Sequence, residues 1–190
     1  EYSPRGALPT VSYVDAGTLE WLRELGLTIA SSADLVQRLE APWSEAGLAS
    51  HREAAAHLEA VRREAIGRLR QALATGEPLT DCALQAWMLA AMEARGLETN
   101  SAPIVAFAAD SGNPHHSPDP ARPRRLEPGQ VVLLDYWGRL THAEALYADF
   151  TWMAFAGDRL PAPVARAWQA LREARDAALA FLAERFAAGA

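Results

Sequence analysis

The spacing of apolar residues divides the chain into a mixed leading segment, two helices, a strand-rich middle and a last helix. From His51 onward, Ala54, Leu58, Val61, Ala65, Leu69 and Leu73 recur at intervals of three and four, with Arg62, Arg63, Arg68 and Arg70 on the other faces. That period predicts a long amphipathic helix, which Gly76 and Pro78 end. A second helix is predicted from Thr80, a residue suited to capping, with Leu84, Trp87, Met88 and Ala91 on one side and Gly96 as its stop. Its aromatic and methionine side chains read as core packing, not as a cofactor box.

The middle of the chain is strand-like. Ile104–Phe107 precedes a polar turn through Asp110, Ser111, Gly112, Asn113 and Pro114, followed by His115 and His116. Glu127-Pro128-Gly129 is a turn signal leading into Val131–Tyr136, a run apolar on both faces that predicts a buried strand. Ala145–Ala156 is expected to be another strand. After Gly157 and Pro161 a helix is predicted to about Ala188, with Val164, Ala167, Trp168, Leu171, Ala174, Ala178 and Leu182 facing inward. Ahead of His51, Thr10–Val14 reads as extended, Thr18–Leu25 as a helix stopped by Gly26, and Leu27–Ile29 as a strand. Ser31 or Ser32 caps a further helix through Leu35, Val36 and Leu39, and Ala41-Pro42-Trp43 marks a boundary. The order of helices and strands predicts an α+β layer arrangement.

Composition narrows the function. Half of the 190 residues are hydrophobic and 22% are charged, enough apolar material for a real core. A net charge of -6 argues against a dedicated nucleic-acid binder, and the cluster Arg122, Arg124 and Arg125 is too short to overturn it. The single cysteine, Cys82, excludes a disulfide scaffold. No apolar run approaches the roughly 18 residues of a membrane span, and no signal peptide is read at the amino end, so no membrane association and a cytoplasmic location are expected. No P-loop, GxGxxG, His-Glu-x-x-His or paired-cysteine zinc pattern occurs.

Two carboxylates stand out against this background. Asp135 ends the most hydrophobic run, and Asp149 sits within a second apolar segment. A carboxylate in such surroundings must be hydrogen-bonded, paired or metal-bound. Two readings stand: each caps a strand end and accepts backbone hydrogen bonds, or the two meet and share a metal. His115 follows a buried strand in a polar turn, a place from which it can donate a proton or hydrogen bond to a substrate. His116, its neighbour, points elsewhere and reads as structural. His142 and Glu144 read as solvated loop residues, and His51 and His57 as surface or core-edge positions on the long helix.

These residues form an ordered set. Pro103-Ile-Val-Ala-Phe leads to Ser111-Gly-Asn-Pro-His-His-Ser-Pro118, then to Leu126-Glu-Pro-Gly-Gln-Val-Val-Leu-Leu-Asp135, then to Tyr147-Ala-Asp-Phe-Thr151. The set resembles the pita-bread metallopeptidases, the family of methionine aminopeptidase, Xaa-Pro aminopeptidase, prolidase and creatinase, and within it the proline-peptidase-like branch. The resemblance implies that Asp135 and Asp149 are the first two ligands of a two-metal site, with Asp149 bridging. It also implies that His115 is the family's histidine beside the substrate and that Thr151 follows the bridging ligand. His116, Thr151 and Trp152 are candidates for lining or supporting the substrate pocket. Thr80-Asp81 resembles the Thr-Glu that opens the second helix of these domains.

The departures shape the expectation. Trp152 stands where the family usually has Arg, and fourteen positions separate Asp135 from Asp149, a little more than is common. The family's later histidine and two later glutamates have no counterpart: no histidine follows His142, and Glu173 and Glu184 fall in a predicted helix. The resemblance therefore implies a partial pita-bread fold, residues 1–50 being the end of a creatinase-like amino-terminal domain with its linker and 51–190 the first half of the catalytic domain. Half a sheet leaves a face uncovered, so a partner chain or a carboxyl-terminal half is expected against it. The implied activity of the parent protein is metal-dependent hydrolysis of the peptide bond before proline, on short peptides with proline second, with two ions of Mn, Co or Zn, as a homodimer. The chain alone is expected to be inactive. A creatinase-like hydrolase and a non-catalytic peptide-binding module are the alternatives.

Overall fold

A computed structural model of the chain describes residues 1–8, 10 and 12–189. Two short helices, α1 (Ala16–Glu24) and α2 (Ala33–Glu40), precede the long α3 (Glu45–Thr75) and α4 (Asp81–Glu93). Four strands follow: β1 (Leu97–Glu98), β2 (Ile104–Phe107), β3 (Val131–Leu140) and β4 (Ala148–Phe155), then helix α5 (Ala162–Ala187). Strand β3 is the hub, and β1, β2 and β4 all pair with it antiparallel. Among the described residues no helix is long and apolar enough to cross a membrane.

Helices α3 and α4 cover one face of this sheet. The stripe Ala54, Leu58, Val61, Ala65 and Leu69 meets Leu84, Met88 and Met92 of α4 and the strand residues Val105, Phe107, Val132, Leu134 and Tyr136 in one buried core. Each fully buried Leu, Val or Phe contributes about 1.5–3 kcal/mol relative to exposure. Because side chains alternate along a strand, the odd-numbered residues of β3 point to the other face. That face is shielded unevenly: Leu133 is buried, Asp135 and Trp137 are half-buried, and Asp149 and Thr151 of β4 are exposed.

Several sequence expectations need correction. The long helix starts at Glu45, six residues before His51, because the Ser44 hydroxyl accepts from Gly47 N and caps it. Leu27–Ile29 is irregular; of Thr10–Val14, Val11 lies outside the described residues and the others form no strand. The short strand β1 went unread, since two residues carry no period; it exists because β3 continues to Leu140 and offers a pairing edge. The last strand is shorter than Ala145–Ala156, since Ala145–Tyr147 belong to the connection before Ala148. Helix α5 forms as expected, but its apolar face does not turn inward: no residue in it is buried, and Trp168, Leu171 and Leu182 are exposed.

One buried polar residue ties the layers together. Asp81, 1% exposed, accepts through Oδ1 from Cys82 N at 2.8 Å and Arg124 N at 2.9 Å. Around it Asp81 N donates to Arg124 O and Leu126 N donates to Leu79 O, so the start of α4 is laced to the segment that enters β3. Asp81→Ala leaves two backbone donors without their acceptor and should lower the unfolding free energy by about 2–3 kcal/mol in urea titrations. A loss within about 0.5 kcal/mol, the range of an ordinary surface change, would contradict this role.

Candidate metal centre

The β3–β4 register decides where the two aspartates go. Asp135 stands opposite Thr151, and Trp137 opposite Asp149. Asp149 is two residues from Thr151 and therefore on the same face, diagonal to Asp135, on the side of the sheet that the helices leave uncovered. Thr151 Oγ1 donates to Asp135 Oδ1 at 2.7 Å, which orients that carboxylate. Among the described residues neither aspartate has a salt-bridge partner. Partial burial first, and then the charge of Asp135, hold the Asp149 carboxyl above its ordinary value.

The structure gathers neither His115 nor His116 with this pair as a metal-holding group. His115 is exposed on the loop that follows β2, whose last residue, Phe107, pairs with Val132; its amide donates to Asn113 Oδ1 at 3.0 Å. His116 turns into the protein, with Nε2 buried and 3.9 Å from Asp81 Oδ2. Trp152 pairs with Leu134 and so stands on the helix-covered face, opposite to Asp135 and Asp149, with the Arg62 guanidinium 4.0 Å above its ring. Arg62 is itself held by a bidentate pair with Glu59. Sequence reading missed two residues here. Asp81 was readable only as part of a helix start, and His51, which contacts Tyr147 O, gave no local signal because its partner is 96 positions away.

The donor set can be tested against a divalent cation. Two carboxylates on one face, mutually unfavourable and with no salt bridge among the described residues (Arg139, on the same face, pairs with Glu98), match such an ion in charge and in oxygen chemistry. Yet no group of three or more His, Cys, Asp or Glu that could hold a metal gathers among the described residues. The described residues thus offer two carboxylates whose chemistry fits such an ion, and no closed site.

Comparison with known proteins identifies the fold and the family. The profile of metallopeptidase family M24 matches residues 49–189. Among solved structures, dipeptidase PepE from Mycobacterium ulcerans is similar with a TM-score of 0.59 and 22% identity, over 78% of this chain and 38% of that one. The prolidase from Thermococcus sibiricus aligns with a TM-score of 0.55 and 17% identity, over 87% and 43%. The X-prolyl aminopeptidase from Caenorhabditis elegans aligns with a TM-score of 0.57 and 21% identity, over 68% and 21%. The chain spans less than half the length of each. The likeness shows the pita-bread α+β fold, with long helices on a partly open antiparallel sheet. Among curated proteins none matches the sequence significantly.

The raised pKa of Asp149 carries a stability consequence. Native Asp149 holds its proton more tightly than the unfolded chain, so its ionisation costs native stability: nothing at low pH, more as pH rises through the ordinary value of 3.8, and the full amount above the raised native value. Asp149→Asn removes that cost and should raise the Tm at pH 7, without divalent ions, by roughly 1–2 °C. The gain should vanish towards about pH 3. A Tm at pH 7 equal to or below that of the parent chain would contradict the coupling.

Proposed function

The chain belongs to metallopeptidase family M24, and we propose on that premise that it is part of a metal-dependent peptidase of the Xaa-Pro aminopeptidase or Xaa-Pro dipeptidase type. The observation that supports this most is the uncompensated pair Asp135 and Asp149 on the open face of the sheet. Residues 1–50 are read as the end of an amino-terminal domain with its linker, and 51–190 as the first half of the catalytic domain. Proline specificity is part of this proposal, supported by the likeness to a prolidase and to an X-prolyl aminopeptidase, the latter a cytosolic enzyme with a di-nuclear active site. A cytoplasmic location and a homodimer belong to the same proposal.

In this reading Asp135, oriented by Thr151, and Asp149 hold Mn, Co or Zn, and such ions supply Lewis-acid polarisation of the scissile carbonyl and a more acidic water. The roles of the protein groups follow from their places. Thr151 keeps one Asp135 oxygen occupied, which leaves the other free toward the open face. His115, exposed on its loop, is the group this reading assigns to donate a hydrogen bond to developing negative charge or to the leaving amine of a substrate. Trp152, packed beneath Arg62 on the far face, supports the sheet from behind and does not contact substrate. A pure peptide-binding module would have no use for two adjacent unpaired carboxylates.

Assay of the full-length gene product with Mn(II) against Xaa-Pro dipeptides and tripeptides tests the proposal. Hydrolysis is expected, and Asp135→Asn and Asp149→Asn should each lower kcat/KM by at least roughly 100-fold. A folded protein inert across the panel would defeat the substrate assignment. For the 190-residue chain alone the outcome differs. Two carboxylates offer about four oxygens, whereas two divalent ions together call for roughly eight to twelve positions. Calorimetric titration should therefore show weak Mn(II) binding and no turnover. Submicromolar uptake of two ions per chain, with peptide hydrolysis, would show that further ligands complete the site within it.

A further inference from the structure

The diagonal placement of Asp135 and Asp149 holds for one register of β4 and fails for the next. A slip by one residue would send Asp149 to the helix-covered face and bring Phe150 to the open one. The connection between β3 and β4, Thr141–Tyr147, is seven residues long. Unlike a two-residue hairpin turn, a loop of that length does not itself dictate the register of the strand that follows.

The first two turns of α3 grip the end of this loop. Leu146 N donates to Ser50 Oγ at 3.1 Å, and the same hydroxyl donates to Gly47 O at 2.8 Å. Ser50 is 3% exposed, so this is a buried, fully used hydroxyl. One residue on, His51 Nδ1 lies 2.8 Å from Tyr147 O. A carbonyl only accepts, so Nδ1 carries the proton and donates. The His51 ring also packs against Trp43, with centroids 4.9 Å apart. Gly47 makes the approach possible: a Cβ there would stand 3.0 Å from Leu146 Cδ1. Two consecutive helix residues thus hold two consecutive loop residues, and Ala148 and Asp149 follow at once.

We propose that Ser50 and His51 are positioning residues for Asp149, fixing the register with which β4 starts and so setting its carboxylate beside that of Asp135. The consequence for metal rests on the reading of Asp149 as a ligand given above, whereas the consequence for register does not.

NMR on the full 190-residue chain separates the two. In the double variant Ser50→Ala/His51→Phe, amides 148–151 should exchange about ten-fold faster and the cross-strand contact between Trp137 and Asp149 should weaken, while the amides of Leu58 and Val61 keep their protection. Mn(II) broadening of the Asp135 and Asp149 signals should then require about ten-fold more metal. His51→Asn, which offers an amide donor where Nδ1 stood, should restore both readouts, and His51→Phe alone gives the same comparison should the double variant not fold. Native exchange and an intact Trp137–Asp149 contact in the variants would overturn the proposal, as would a loss of protection spread evenly over the core. Mn(II) broadening centred elsewhere in the parent chain, with β4 still loosened in the variants, would support the clamp and remove the metal reading.

Discussion

The antiparallel pairing of β3 with β4 is the constraint on which the site depends. It sets Asp135 against Thr151 and Trp137 against Asp149, and the two-residue alternation of a strand does the rest. Two carboxylates fourteen positions apart in sequence become diagonal neighbours on one face, while Leu134, Tyr136 and Phe150 turn to the other. Partial burial first, and the nearby charge of Asp135 second, raise the pKa of Asp149 in this arrangement.

The two faces of the sheet carry different duties. Toward α3 and α4 the side chains form one buried core, in which Asp81 is held by two backbone amides and Arg62 by Glu59 and the Trp152 ring, while the buried Tyr136 hydroxyl has no hydrogen-bond partner among the described residues. The opposite face is shielded at Leu133 and open at Asp149 and Thr151. Rigidity on one side and access on the other is how a scaffold presents charged groups to a ligand without softening its own core. The exposed apolar residues of α5, Trp168, Leu171 and Leu182 among them, mark a second surface that this chain does not cover by itself.

Much of this was legible in the sequence where local pattern carries the information. The α3 stripe, the Thr80 cap, the buried run of β3 and the ordered motif around His115, Asp135 and Asp149 are all short-range signals, and the fold class followed from their order. What stayed unread depends on partners far along the chain. The capping Ser44 extends α3 by six residues beyond the visible period, and β1 exists only because β3 overruns Tyr136. The inward face assigned to α5 was a period without an occupant: periodicity says which residues share a face, not whether anything covers it. Trp152 shows the same limit, because its place in the motif did not reveal that strand alternation turns it away from Asp149. His51, read as a surface or core-edge position, reaches Tyr147 across 96 residues.

Anomalous scattering from a crystal of the protein soaked in Mn(II) tests the central claim most directly. The account predicts a peak on the open face of the sheet, in coordinating contact with carboxylate oxygens of both Asp135 and Asp149. A map in which Mn(II) binds elsewhere, with the two aspartates turned apart or closed onto protein donors, would contradict it.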